Sequence, residues 1–346
     1  MKRRTNMPDW RMWQQLVNQA CRIALLTHVR PDGDTLGSCE ALRLALSSLG
    51  KQARIFVPGN VPERYSFLDS EHSWVSVPAG QALPEWLLSA DLLVIADTGT
   101  WAQLGNLAEG VRRSTAPKVV FDHHQTQDDL GGLCFVDPKA EATGRIAWLA
   151  IRKLGVPISQ PIAQALFVAL ATDTGWFHHN NTQPRTFHLA NLLVRAGAQP
   201  HQLYELIYEC QTLERLRLVG LFLQRLDLAG RGRICYGVVR CRDYEQTGSP
   251  PLDSDELVKY TRSIAGVEVG VLFMELPHGQ TKVSFRSRGL LNVASVAERW
   301  RGGGHAAAAG AIVDQPLDQA IPLVLSALEA ELAKLTRTEA VAHEHV

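Results

Sequence analysis

Apolar and polar positions alternate along this chain in two textures. As far as about residue 171, short apolar runs at 22–27 (RIALLT), 53–57 (ARIFV), 91–96 (DLLVIA) and 118–121 (KVVF) are separated by segments with helical spacing. Runs this apolar predict strands covered on both faces, as in a parallel sheet. Residues 36–49, closed by Gly50, and residues 142–153 and 161–171 predict helices. Strand and helix in alternation imply a layered α/β domain. Between 184 and about 228 the pattern is helical almost throughout. Past Gly230 the texture changes: 233–240, 267–275 and 281–286 predict strands, and 253–263, 292–300 and 316–335 predict helices. The expected organisation is a first α/β domain over 1–195, a helical connector over 196–229, a smaller α/β domain over 230–335 and a flexible tail over 336–346.

Composition narrows the class. A chain of 346 residues with 46% hydrophobic and 20% charged positions buries real cores and suits two domains. Lys plus Arg and Asp plus Glu both number 35. That balance argues against a track for long nucleic acid, whose phosphates reward a basic surplus, and favours a small anionic substrate. The six cysteines show no CxxC spacing and predict reduced thiols. The basic N-terminus reaches no apolar h-region, and no stretch approaches the ~20 apolar residues of a membrane span. The expectation is a cytoplasmic protein without membrane attachment, monomeric or homodimeric.

The acids and histidines change the picture most. His28 follows the first strand in the loop HVRPDGDTLGS, which carries Asp32 and Asp34; Asp97 ends DLLVIAD; Asp122, His123 and His124 end KVVFDHH; Asp173 closes ALFVALATD. In a parallel sheet the carboxyl ends of strands lie on one edge, where open α/β folds bind ligands. Taken singly, each of these residues has an ordinary explanation as turn former, helix cap or surface histidine. Together they suit borderline divalent ions such as Mn²⁺, with Mg²⁺, Zn²⁺ or Co²⁺ as competitors. Four crowded aspartates would repel one another unless cations neutralised them, and paired ions ~3.5–4 Å apart clamp the attacking and leaving oxygens of a phosphoryl displacement.

HVRPDGDTLGS, IADTG, FDHH and ATDTGWF, in that order, resemble the four motifs of the DHH phosphoesterase superfamily, and SFRSRGLLNVASVAERWRGGGHAAAAG resembles the DHHA1 domain that accompanies it. The layout is most similar to the RecJ-like branch of nanoRNases and pAp phosphatases, from about residue 10 to about 335. The resemblance implies an N-terminal parallel-sheet DHH domain, a smaller C-terminal α/β DHHA1 domain and an active site in the cleft between them. It implies two divalent ions, Mn²⁺ before Mg²⁺ or Co²⁺, one held by His28, Asp32 and Asp97, the other by Asp34, Asp97, His123 and Asp173. Asp122 would orient a histidine, and His124 would face the scissile phosphate. The implied activity is hydrolysis of short oligoribonucleotides to mononucleotides, or of pAp to AMP.

The second domain is expected to recognise substrate. Gly302, Gly303 and Gly304 would let backbone N–H groups approach phosphate, His305 follows, and Arg286 and Arg288 end a strand. Trp176 is a candidate platform for a base, with core packing as the alternative. Arg145, His178 and the AAAAG segment depart from the family pattern around the substrate, not at the metal positions. The competing readings are a linear or cyclic dinucleotide phosphodiesterase, a single-strand exonuclease and a non-catalytic nucleotide sensor.

Overall fold

The computed structural model describes residues 9–254 and 256–343. The chain forms two compact units, Met1–Cys210 and Gln211–Val346.

The first unit runs α1 (Trp10–Gln19), β1 (Arg22–Leu26), α2 (Gly33–Ser48), β2 (Gln52–Pro58), β3 (Trp74–Val77), α3 (Glu85–Leu88), β4 (Leu92–Ala96), α4 (Leu107–Arg113), β5 (Lys118–Asp122), β6 (Leu133–Val136), α5 (Thr143–Lys153), α6 (Gln160–Asp173), α7 (Pro184–Arg195) and α8 (Pro200–Tyr208). Its strands form one parallel sheet in the order β3-β2-β1-β4-β5-β6. Successive strand residues feed opposite cores. Ile23, Leu25, Val94 and Phe121 pack on one side, and Ala24, Leu26, Ile95 and Val120 on the other. This two-sided burial is why the strand sequences read as continuous apolar runs.

α2 is buried along most of its length and packs on α6. The contact is close because Gly37 has no side chain: a Cβ there would lie 2.4 Å from the Ala165 carbonyl oxygen. α1, which the apolar pattern did not reveal, is held by Trp13. That side chain is fully buried, meets Phe121 edge-on at 5.2 Å and donates from Nε1 to the Ala150 carbonyl at 3.1 Å.

The second unit runs α9 (Leu213–Gln224), β7 (Asp227–Ala229), β8 (Ile234–Val239), α10 (Cys241–Thr247), α11 (Val258–Thr261), β9 (Val269–Leu276), β10 (Gln280–Ser287), α12 (Val293–Ala297), β11 (Gly303–His305), β12 (Ala308–Val313) and α13 (Leu317–His343). The sheet order is β11-β12-β10-β9-β8-β7, antiparallel except between β8 and β9. Val271, Phe273, Val283 and Phe285 face one core, while Leu272 and Met274 face a smaller cluster with Leu218 and Phe222.

Several expectations change. The segment expected as a connector divides between the units: α8 buries Leu203 and Ile207 in the first core, and α9 buries Leu218 and Phe222 in the second unit. The helix expected over 253–263 is a 3₁₀ turn at Pro251–Ser254 followed by the one-turn α11, in a stretch that opens with two prolines. Gly303 and Gly304 of the glycine run form part of β11, paired to β12. The helix expected to stop at 335 continues to His343, since TRTEAVAH contains no Gly or Pro to end it. Among the described residues no helix is long and apolar enough to cross a membrane.

Candidate metal centre

β1 and β4 are neighbours at the point where the strand order reverses, the topological switch point at which open α/β sheets bind ligands. The loop leaving β1 carries His28. It is pinned by Val29, whose N–H donates to the Gln103 carbonyl at 2.7 Å. Asp32 then caps α2, its Oδ1 accepting from the N–H groups of Asp34 (3.1 Å) and Thr35 (3.2 Å). Asp97 leaves β4 with φ at +63°, a left-handed conformation that a non-glycine residue adopts at some strain. Asp122, His123 and His124 leave β5, and Asp173 ends α6. The close α2–α6 packing at Gly37 therefore brings the start of one helix, with Asp34, to the end of the other, with Asp173.

Six side chains from five elements or loops converge. His28 Nε2 lies 3.4 Å from Asp97 Oδ2 and 3.8 Å from Asp32 Oδ1. His123 Nε2 lies 3.5 Å from Asp97 Oδ1, 3.7 Å from Asp173 Oδ2 and 3.8 Å from Asp34 Oδ2. One Asp97 oxygen thus faces each histidine. Both imidazoles are anchored at the other nitrogen, His28 Nδ1 to the Val29 carbonyl (2.8 Å) and His123 Nδ1 to the Ala140 carbonyl (3.1 Å). With Nδ1 donating, Nε2 carries the lone pair that a metal requires.

The carboxylates are held as firmly. Asp34 accepts from the Thr143 and Gly144 N–H groups at the start of α5 (2.7 and 2.9 Å) and from Ser38 Oγ (3.2 Å); Thr143 Oγ1 donates to Asp97 Oδ1 at 2.9 Å. Asp122 is fully buried. Its Oδ1 accepts from His123 N–H (2.9 Å) and lies 2.7 Å from His124 Nδ1, and its Oδ2 accepts from Gln127 Nε2 at 2.5 Å.

Burial, reinforced by Asp97, Asp173 and Asp32, pushes the Asp34 carboxyl well above its ordinary range. Burial lifts Asp173 to about 6, with the neighbouring aspartates adding to the rise and His123 opposing it. At His28, burial opposes the charged form, but Asp32 and Asp97 outweigh it and raise the imidazole to about 10. Without a cation the site recruits protons onto its acids and histidine. The mixed carboxylate and imidazole donors, with ligating nitrogens already exposed, fit divalent ions. Among the described residues, the groups able to hold an ion are His28–Asp32–Asp97, Asp34–His123–Asp173 and Asp97–His123–His124, all at this place. A cavity of about 360 Å³ opens here, lined also by Arg30 and Gln103.

The other expected residues are not among these ligand groups. Arg286 is half-buried on β10. His305 is exposed on β11. Arg288 donates from Nη2 to the Arg262 carbonyl at 2.6 Å. Gly303 and Gly304 form edge-strand backbone opposite Gly310 and Ala309, and Gly302 packs against β12. Trp176 is partly buried, its ring edge-on to Tyr204 (5.1 Å), Tyr208 (5.6 Å) and Phe167 (5.9 Å). Arg145 is occupied by the buried Glu141, at 2.7 and 2.5 Å. Gln127, Ser38, Arg30 and Gln103 did not stand out in the sequence. Polar residues of loops and helices, they carry no periodic signal, and only the fold brings them to the site.

Residues 22–170 match the model of the DHH family, N-terminal domain, and residues 232–334 match the DHHA1 domain. The chain is 32% identical over 337 residues to a bifunctional oligoribonuclease and PAP phosphatase of Thermus thermophilus, covering 95% of this chain and 98% of that one. It is 26% identical to the protein of the same name from Bacillus subtilis, over 84% of this chain and 89% of that one. An exopolyphosphatase-related protein of Bacteroides fragilis shares the fold with a TM-score of 0.87 at 22% identity, over 94% of this chain and 97% of that one.

Proposed function

The chain belongs to the DHH family of phosphoesterases, with a DHHA1 domain, and from that membership we propose that it hydrolyses short oligoribonucleotides to mononucleotides and pAp to AMP with two divalent ions, Mn²⁺ foremost. The observation that carries the two-ion reading is Asp97, whose two oxygens each face a different histidine. The substrate class is supported by the names of the relatives and by the neutral net charge.

In this reading His28, Asp32 and Asp97 hold one ion, and Asp34, Asp97, His123 and Asp173 the other. When bound, the ions supply Lewis acidity that activates water and stabilises charge on the phosphoryl oxygens. The chain's own residues do the rest. The left-handed backbone at Asp97 and the Thr143 hydroxyl fix the shared carboxylate. Asp122, steadied by Gln127, orients His124 through its contact with Nδ1. His124, held in this way, faces a phosphoryl oxygen of the substrate. Arg286, His305 and the Gly302–Gly304 backbone bind a phosphate of the substrate, and Arg288 positions the segment ending at Arg262. Trp176, wedged among Phe167, Tyr204 and Tyr208, anchors the turn that follows Asp173.

The test is a substrate panel with Mn²⁺: pAp, pApA, RNA of graded length, cyclic di-AMP and pyrophosphate. The expected outcome is greatest kcat/KM on pAp or on oligomers of two to five nucleotides, by roughly tenfold over long strands. Efficiency still rising past about twenty nucleotides, with a steep salt slope, would establish a long nucleic-acid track instead.

A further inference from the structure

We propose that Arg262 is a second guanidinium of the phosphate site in the C-terminal unit, and that with Arg286 it selects substrates bearing a terminal phosphomonoester apart from the bond being cut. This rests on the phosphoesterase reading above.

Strand register places the groups. Arg286 pairs with Gly270 on β9 and with Ala308 on β12, and Ala308 pairs with His305 on β11. Directly paired residues share a face of a sheet. His305, Ala308, Arg286 and Gly270 therefore form one row, on the face opposite to the core that holds Val283 and Phe285. At the end of this row α11 lies against the strand. A Cβ on Gly270 would sit 2.0 Å from Thr261 Oγ1 and 3.1 Å from Arg262 Cγ. Only glycine allows that approach, and it sets Arg262 beside Arg286.

Both guanidiniums gather at the end of β10. Arg286 Nη1 donates to the Phe285 carbonyl (2.9 Å), and Arg262 Nη1 reaches the Ser287 carbonyl (3.4 Å). Arg288 fixes the Arg262 backbone by donating to its carbonyl at 2.6 Å. The acid at this end of the strand, Glu268, is occupied by Ser287 Oγ and the Leu290 and Leu291 N–H groups. Among the described residues neither guanidinium hydrogen-bonds or ion-pairs with a carboxylate. Burial, and then the charge of Arg262, hold Arg286 below the ordinary arginine range. Two adjacent cations without a counter-ion match a group of charge about −2. A terminal phosphomonoester carries roughly −1.5 to −2 at neutral pH and offers several oxygens to two planar forks, whereas a bridging diester carries only −1. Ala308 in this row and Gly303 in the next row of the same face leave the surface beside Arg286 low enough to admit it.

The probes are AMP and adenosine, which differ only by that phosphate. Calorimetric titration of the full chain in EDTA removes any contribution from metal-held phosphate. The wild-type protein is expected to bind AMP at least about tenfold more tightly than adenosine, and Arg262→Gln to lose most of that difference. Arg262→Lys keeps the charge without the fork and is expected to fall between the two. Thermal melts check that each variant is folded, and the lysine variant carries the test should the glutamine variant not fold. AMP affinity unchanged in both variants overturns the proposal, as does a wild-type protein that does not distinguish the probes. With Mn²⁺ present, the ratio of kcat/KM for pApA over ApA should fall by about ten- to hundredfold in Arg262→Gln. Failure to hydrolyse either dinucleotide, with AMP discrimination intact, would sink the phosphoesterase reading and leave the Arg262 assignment standing.

Discussion

The two units each concentrate charge of one sign, but the concentrations are built differently. In the first, four aspartates come from the ends of strands and helices that both faces of a parallel sheet clamp, and N–H groups, hydroxyls and imidazoles hold them. In the second, Arg286 is half-buried on a mixed sheet and Arg262 is exposed just after α11, both held only to nearby carbonyls. The first is a rigid cage that gathers protons in place of cations. The second is a shallow platform awaiting an anion. On the proposed reading, the chemistry, which tolerates little misplacement, falls to the cage and recognition to the looser platform.

Asp97→Asn would strike the cage hardest. The loss in kcat/KM is expected to be at least about a thousandfold, with metal content falling in step by elemental analysis. Near-normal turnover with both ions retained would break the contrast.

A paired acid of the second unit should behave in the opposite way from a crowded acid of the first. Asp243 is buried, 2.5 Å from Arg225 Nη1 and 2.8 Å from the Arg240 N–H; these partners overcome burial and hold its carboxyl below the usual range. A depressed acid stabilises the fold above its unfolded pKa and loses that effect as pH falls through its folded value. Asp243→Asn should therefore cost about 3 kcal/mol at pH 7 in denaturant melts, and progressively less below about pH 4.

On the platform, Arg286→Ala is expected to lower kcat/KM by about ten- to hundredfold, chiefly through KM, with metal content unchanged. A variant matching wild type on every substrate would remove recognition from the second unit.

The smallest effect is the most diagnostic. With Asp173 raised to about 6, its charge destabilises the metal-free fold above that pH and not below its unfolded value near 4. In EDTA, Asp173→Asn should melt about 2–4 °C above wild type at pH 7.5, the gap closing as pH falls from 6 to 4. Saturating Mn²⁺ should reverse the order by stabilising wild type. A gap independent of pH would mean that the acids are not crowded in solution.

Much of the cage was legible in the sequence because its residues follow apolar runs of unambiguous period. His28, Asp97 and Asp122 each end a strand that had to be parallel and doubly covered. The platform was less legible. β11 and β12 are rich in Gly and Ala, weak strand formers without alternation, so GGGHAAAAG carried no strand signal. Arg262 carried no signal at all, since its importance depends on the missing Cβ of Gly270 one element away. Gln127 was hidden for a similar reason: five residues beyond Asp122 in a loop, it meets that carboxylate only through the fold.

The alternation of Ile23, Ala24, Leu25 and Leu26 between two cores also bears on timescale. A sheet gripped from both sides opens only when both layers part, an event close to global unfolding. On the proposed two-ion reading, ion exchange at the solvent-facing cavity would need only side-chain fluctuation, which is far faster than opening of the sheet. On that reading the cage would persist between occupants, and a chain stripped by a chelator should reload without refolding.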